Sequence, residues 1–205
     1  MNKFSKDKKI IINHYNRKIK KYRNGPKAVG WGNKKSQLIR FQILSEIGDL
    51  NNKTILDVGC GTGDLYGFLT KKKKIKIKRY LGIDVNPLMI KRARKKYLEA
   101  DFEVRDLLKN TIKEPFDYVL ESGVFGLKIP HWGKLTYEIL IRMFKISKIG
   151  MGANFLSDFV PFKKDRSSYF VNPGEILTFA CNHLTSKLIL RHDYLPHDFT
   201  VFFYK

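Results

Sequence analysis

Ile55-Leu56-Asp57-Val58-Gly59-Cys60-Gly61-Thr62-Gly63-Asp64 is the stretch on which the reading of the fold turns. Thr54 to Gly59, TILDVG, is a short apolar run bounded by turn residues, which predicts a buried strand. The glycines that follow predict a tight turn, with Cys60 as a small side chain inside it. GDLYGFLTK then carries the pattern of a helix. A strand, a glycine turn and a helix in that order make the first half of a β-α-β unit. In sheets built from such units, ligands bind beyond the C-terminal ends of the strands.

The pattern repeats downstream. YLGIDV predicts a second strand, and Asn86-Pro87 opens a helix with proline in its first turn. FEVRD is a third strand ending at Asp106, and FDYVLES is a fourth. Residues 132–147 are helical, with Trp132, Leu135, Ile139, Met143 and Ile146 inward. MGANFLS is a fifth strand. Asn172 and Pro173 then start a helix to about residue 184. SKLILRH and FTVFFYK, joined by DYLPHD, predict two antiparallel neighbours. Upstream, a helix over about 36–48 buries Ile39, Ile43 and Ile47, with Ser36 as its expected cap. Strands alternating with helices imply a mainly parallel sheet covered on both faces.

The glycine turn reads G-x-G-x-G. A dinucleotide site wants G-x-G-x-x-G, and its third glycine would fall on Asp64, whose carboxylate opposes a pyrophosphate. That argues against a nicotinamide oxidoreductase. Asp57 and Asp64 suit a cationic, amino-bearing ligand without phosphate, which S-adenosylmethionine is. Asp84, at the end of the second strand, is placed to accept from two ribose hydroxyls. Asp106, at the end of the third, is placed to accept from an adenine amine.

LDVGCGTGDL, GIDVNPLMIKRAR, FEVRD and FDYVLESGVF, in this order, resemble the successive signature segments of class I S-adenosylmethionine-dependent methyltransferases. The resemblance covers residues 30–125 well and the remainder by topology. It implies that Asp57, Gly59, Cys60, Gly61 and Gly63 cradle the methionine end of the cofactor. It implies Asp84 and Val85 at the ribose, and Asp106 and Leu107 at the adenine. WGNKKSQLIRFQIL resembles the helix that precedes the sheet in small members of the class, which puts Gln37 or Arg40 near the cofactor carboxylate. The fold implied is α/β: a Rossmann-like, seven-stranded, mainly parallel sheet with helices on both faces and a C-terminal antiparallel hairpin.

The fourth strand ends in Glu121-Ser122-Gly123-Val124-Phe125, where this class faces its acceptor. Glu121 is a candidate base or cofactor contact, and His131, in the following loop, is a second candidate base. The Asn/Asp-Pro-Pro-Tyr/Phe segment of enzymes that methylate exocyclic amines is absent, as is a Pro-Cys nucleophile. His192 to Asp198, HDYLPHD, mixes two histidines with two aspartates, but a terminal hairpin is expected at the rim of the site or away from it. Cys60 and Cys181 have no neighbouring cysteine at metal-ligand spacing, so no metal site is expected.

The net charge of +21 is uneven. Residues 1–100 hold 26 Lys+Arg against 7 Asp+Glu, and residues 101–205 hold 14 against 12. Residues 8–22 place Ile11, Tyr15, Ile19 and Tyr22 at helical spacing among lysines and arginines. We expect residues 1–33 to form a basic helix and loop closing over the cofactor, with Tyr15 moved toward the site. Residues 34–205 are then a single methyltransferase domain. Lys71 to Lys74 lie between helix and strand, at the end of the sheet opposite the cofactor mouth. No run of about eighteen apolar residues exists, and no secretory leader is recognised, so a cytoplasmic location is expected. The expected activity is methyl transfer to an O or N atom. A small-molecule acceptor stands slightly ahead of an RNA or ribosomal one, and a non-catalytic binding subunit is the remaining alternative.

Overall fold

β1 (Thr54–Val58) sits inside the sheet, with β2 (Arg79–Asp84) on one side and β4 (Phe116–Glu121) on the other, both parallel to it. The structure is a computed structural model that describes residues 4–23, 25–160 and 165–205. β3 (Asp101–Val104) pairs with β2 and β5 (Ser147–Leu156) with β4, again in parallel. β7 (Asp198–Tyr204) runs antiparallel between β5 and β6 (Leu188–Leu195). Among the described residues the sheet order is β3-β2-β1-β4-β5-β7-β6. The chain leaves β1 in one direction through β2 and β3, then returns to continue in the other through β4 and β5. That reversal opens a crevice at the C-terminal ends of the strands.

The strands alternate their side chains between two cores. Leu56, Val119, Met151 and Val201 face α5 (Trp132–Ile146) and α6 (Pro173–His183). Ile55, Leu120 and Phe202 face the other side, with α2 (Lys34–Leu44), α3 (Asp64–Gly67) and α4 (Pro87–Lys96). Phe116, Phe199 and Phe203 are fully buried, and each such ring contributes roughly 2 kcal/mol. α1 (Ser5–Tyr22) packs on the α5 side through Phe4 and Ile11.

The helix starts follow local chemistry. The Asn86 side chain accepts from the N–H groups of Leu88 and Met89, and Pro87 needs no partner in the first turn. Asn172 and Pro173 repeat the device at α6.

Several boundaries differ from the sequence reading. α2 is capped by Asn33, whose side chain accepts from Ser36 N at 2.8 Å, so Ser36 is inside the helix rather than its cap. α5 buries Thr136 and Leu140 besides Trp132, Leu135 and Met143, while Ile139 and Ile146 pack on the same core partly buried. β3 ends at Val104, and Arg105 N donates to Asp84 O, so Asp106 stands two residues beyond the strand. The connection between β6 and β7 shrinks to Pro196-His197, since pairing continues through Leu195 and Asp198. Pro26–Val29, in the loop expected after the basic helix, forms a short 3₁₀ turn, and Asn24 lies outside the described residues. Among the described residues no helix is long and apolar enough to cross a membrane.

Candidate active site

A cavity of about 440 Å³ lies at the C-terminal ends of β1, β2, β4 and β5, within the range of small-molecule sites. Its floor is the turn after β1. Gly59 and Cys60 donate their N–H groups to Ile83 O at 2.8 and 3.0 Å, which locks the turn to β2. Gly59 has φ +71°, and a Cβ there would meet Val124 Cγ2 at 2.1 Å, so only glycine fits.

Three carboxylates converge on this floor. Asp57 is buried and accepts from the Tyr80 hydroxyl. Burial pushes its pKa up to about 7 against that hydrogen bond, with Asp84 and Asp64 adding to the rise. Asp84 accepts from Gly61 N at 3.0 Å and Asn86 N at 2.8 Å, and burial raises it to about 6 despite these bonds. Asp64 accepts from Thr62 Oγ1 at 3.1 Å and from Gln37 Nε2 at 3.4 Å, and pairs with Lys96. Desolvated carboxylates at this density call for a cation, and a phosphate would raise their pKa values further.

The wall facing them is α2. The Arg40 guanidinium lies 4.4 Å over the Trp31 ring and pairs with Asp198. Arg40 Nε and Gln37 Oε1 are buried with no hydrogen-bond partner among the described residues. Both residues line the cavity. One orphaned donor and one orphaned acceptor, beside three carboxylates, suit a ligand end that carries both a carboxylate and an ammonium group.

The structure therefore brings together Arg40, Asp57, Gly59, Cys60, Gly61, Asp84, Val85, Asp106 and Leu107 around one cavity. Gly63 is not among the lining residues. Its φ is +75°, and a Cβ would meet the Phe102 ring at 2.8 Å, so it is a packing glycine at the start of α3. Cys60 and Cys181 are both free thiols, the first buried and the second exposed.

The two candidate bases stand elsewhere. Glu121 is fully buried, accepts from Val124 N and Asn154 N, and does not line the cavity. Burial raises it to about 8, so it is largely protonated at neutral pH and ties the end of β4 to β5. His131 turns to Asp7 on α1, with its Nδ1 2.9 Å from the carboxylate and its N–H 3.1 Å away, and it too is absent from the lining. In this structure each is engaged by a neighbouring element, Glu121 by β5 and His131 by α1.

Tyr15, which the sequence reading put toward the site, lines the cavity together with residues that were given no definite role there. Tyr15 and Lys8 reach the cavity from α1, and Lys8 pairs with Asp106. Trp31, Ser122, Asn154, His197 and Asp198 line the opposite end. His197 and Asp198 arrive because Leu156, near the end of β5, pairs with Asp198 in β7. The hairpin turn thus faces the site, and the usable sequence signal was the acidic residue directly before the apolar run FTVFF.

A sheet that reverses at β1, a glycine turn and strand-end carboxylates around one crevice define a Rossmann-like class of protein. Residues 55–143 match the family described as a methyltransferase domain. A malonyl-(acyl-carrier protein) O-methyltransferase of Hamiltonella defensa is 35% identical over 96 residues, covering 44% of this chain and 36% of that one. A ribosomal RNA small subunit methyltransferase A of Mesomycoplasma hyopneumoniae is 27% identical over 180 residues, covering 83% of this chain and 58% of that one. The chain thus spans less than two thirds of the length of these curated relatives. Magnesium protoporphyrin IX methyltransferase of Synechocystis, solved with bound SAH, superposes with a TM-score of 0.70 at 16% identity, covering 97% of this chain and 99% of that one. Over residues 55–143 the chain is thus similar to methyltransferases, and it shares the fold of the Synechocystis enzyme.

Proposed function

We propose that this chain binds S-adenosylmethionine in the cavity after β1 and transfers its methyl group to an O or N atom of an acceptor. The convergence of Asp57, Asp84 and Asp106 on one cavity, with the orphaned Arg40 Nε beside them, carries the reading. When bound, S-adenosylmethionine would supply an electrophilic sulfonium methyl and leave as the neutral thioether S-adenosylhomocysteine, the acceptor's proton passing to water. The chain's own work is then placement and charge. Asp57 and Asp64 favour the cationic end, and Arg40 and Gln37 hold the amino-acid carboxylate and ammonium. Asp84 accepts from the ribose, and Asp106 and Leu107 meet the adenine. Holding nucleophile and methyl in line is the main source of rate in such a displacement. Relatives named for a carrier-protein acceptor and for ribosomal RNA support the transfer chemistry and leave the acceptor open.

Calorimetric titration with S-adenosylmethionine and S-adenosylhomocysteine, on the native chain and on Asp84→Ala, tests this. Micromolar binding of both, lost in the variant, is expected. No binding of either to the native chain would reduce it to a methyltransferase-like fold without cofactor.

A further inference from the structure

The first 44 residues hold 13 Lys+Arg and a single acidic residue, Asp7. Asp7 is 1% exposed and turned inward to His131, so it neutralises nothing on the outside. Arg17, Lys20, Lys21, Lys27, Lys34 and Lys35 are all exposed, and among the described residues none of them is ion-paired. Their position in the fold is what matters. Lys34 and Lys35 stand between Asn33 and Ser36, two residues that line the cavity. Lys18 lines it from α1. Arg92 donates to Arg23 O and so brings the basic face of α4 beside the end of α1. Lys18, Lys34 and Lys35 therefore stand at the edge of the cavity, and the other cations extend that basic surface over the outer faces of α1 and the turn after it.

We propose that this rim docks a single-stranded nucleic acid and delivers one of its nucleotides, as the methyl acceptor, into the cavity. The inference rests on the methyl-transfer reading above. The sequence put a small-molecule acceptor slightly ahead, and the placement of the charge reverses that order. Two observations select the partner. The apolar residues of α1 turn inward, with Phe4 and Ile19 buried and Ile11 packed on the core, which leaves Ile10 as its one exposed aliphatic residue. A helix that lies on a bilayer needs an apolar outer face, and this one lacks it. Tyr22, by contrast, is exposed with Lys21 and Lys27 at 5.3 and 6.0 Å from its ring. An accessible ring flanked by cations is what an unpaired base stacks on. A nucleotide reaches such a cavity from a single strand or by flipping out of a duplex, and the exposed Tyr22 ring favours the single strand.

A second lysine cluster provides the control. Lys71 to Lys74 are exposed and precede β2, at the end of the sheet away from the cavity. Fluorescence anisotropy on the full chain, without cofactor, would use labelled single-stranded RNA and DNA of one mixed sequence and phosphatidylserine vesicles. The rim variant Lys20→Glu/Lys21→Glu/Lys34→Glu/Lys35→Glu is expected to bind oligonucleotide at least about tenfold more weakly at 0.15 M salt, with a shallower salt dependence. Lys71→Glu/Lys72→Glu/Lys73→Glu/Lys74→Glu is expected to stay within about twofold of the native chain. The tighter of the two strands names the source. Equal losses in both variants would overturn the proposal, because the attraction would be net charge alone. Binding to vesicles and not to oligonucleotides would overturn it in favour of a membrane surface. Cofactor calorimetry on the rim variant reports on the catalytic reading separately, since none of the four lysines lines the cavity.

Discussion

Lys8 on α1 is ion-paired with Asp106 beyond β3, 98 positions along the chain, and the pair is largely shielded from solvent. The same helix is held at two further points. Asp7 meets His131 after β4, and Asn16 accepts from Asn86 after β2 at 2.9 Å. α1 is thus bound to the loops that follow three strands, each at the rim of the cavity.

If α1 is a lid, weakening the Lys8–Asp106 tie loosens it and also frees Asp106 within the cavity. Lys8→Met is expected to speed release of S-adenosylmethionine several-fold, at a cost in affinity of about 1 kcal/mol. Stopped-flow displacement measures this directly. Release unchanged in Lys8→Met, and affinity unchanged on deleting residues 1–22, would mean that the helix is a passive flank.

Arg40 and Asp198 are a shielded pair, 8% and 1% exposed. Burial still raises the Asp198 pKa, against the pull of Arg40. Arg40→Met strands the carboxylate and should destabilise the fold by about 3 kcal/mol. In a chain of this size that lowers Tm by roughly 6 to 12 °C. Arg40→Met/Asp198→Leu should recover much of the stability while leaving cofactor binding impaired. A double variant as unstable as the single would show that packing against Trp31, rather than the ion pair, is what Arg40 contributes.

The cavity carboxylates make both stability and binding depend on pH. Asp57 and Asp84 have folded pKa values of about 7 and about 6, against about 3.9 unfolded. The folded state therefore holds more protons between pH 4 and 7. The stability these groups contribute is complete below about pH 4 and is lost as pH rises through 6 and 7. A cationic ligand needs the ionised forms, so its affinity should run the other way. We expect binding on the order of tenfold tighter at pH 8 than at pH 6, with the larger thermal shift on adding ligand at the higher pH. Calorimetry at the two values checks it. Affinity that weakened toward pH 8 would contradict a cation between these aspartates.

Part of this was legible before any coordinates. Asn86-Pro87 and Asn172-Pro173 announce helix starts because capping and proline's fixed φ act within a few residues. The glycine turn and Asp84 were readable for the same reason: a strand end and the loop after it are local objects. Asp106 was read at a strand end and lies two residues past it, an error small enough to leave it at the cavity.

The partners of Glu121 and His131 were not legible, because a side chain's partner is a matter of which elements pack together. The sequence by itself determined the alternation of strand and helix, the residues of the glycine turn and the excess of positive charge, all of which depend on near neighbours in the chain. Only the tertiary structure decided that Glu121 would be spent on β5 and His131 on α1. It likewise decided that Asp198 would cross from the last hairpin to meet Arg40, and that Lys34 and Lys35 would stand beside the cavity residues Asn33 and Ser36. Those outcomes follow from strand order and helix docking, which place residues more than a hundred positions apart within hydrogen-bonding distance, and no pattern along the chain encodes such a meeting.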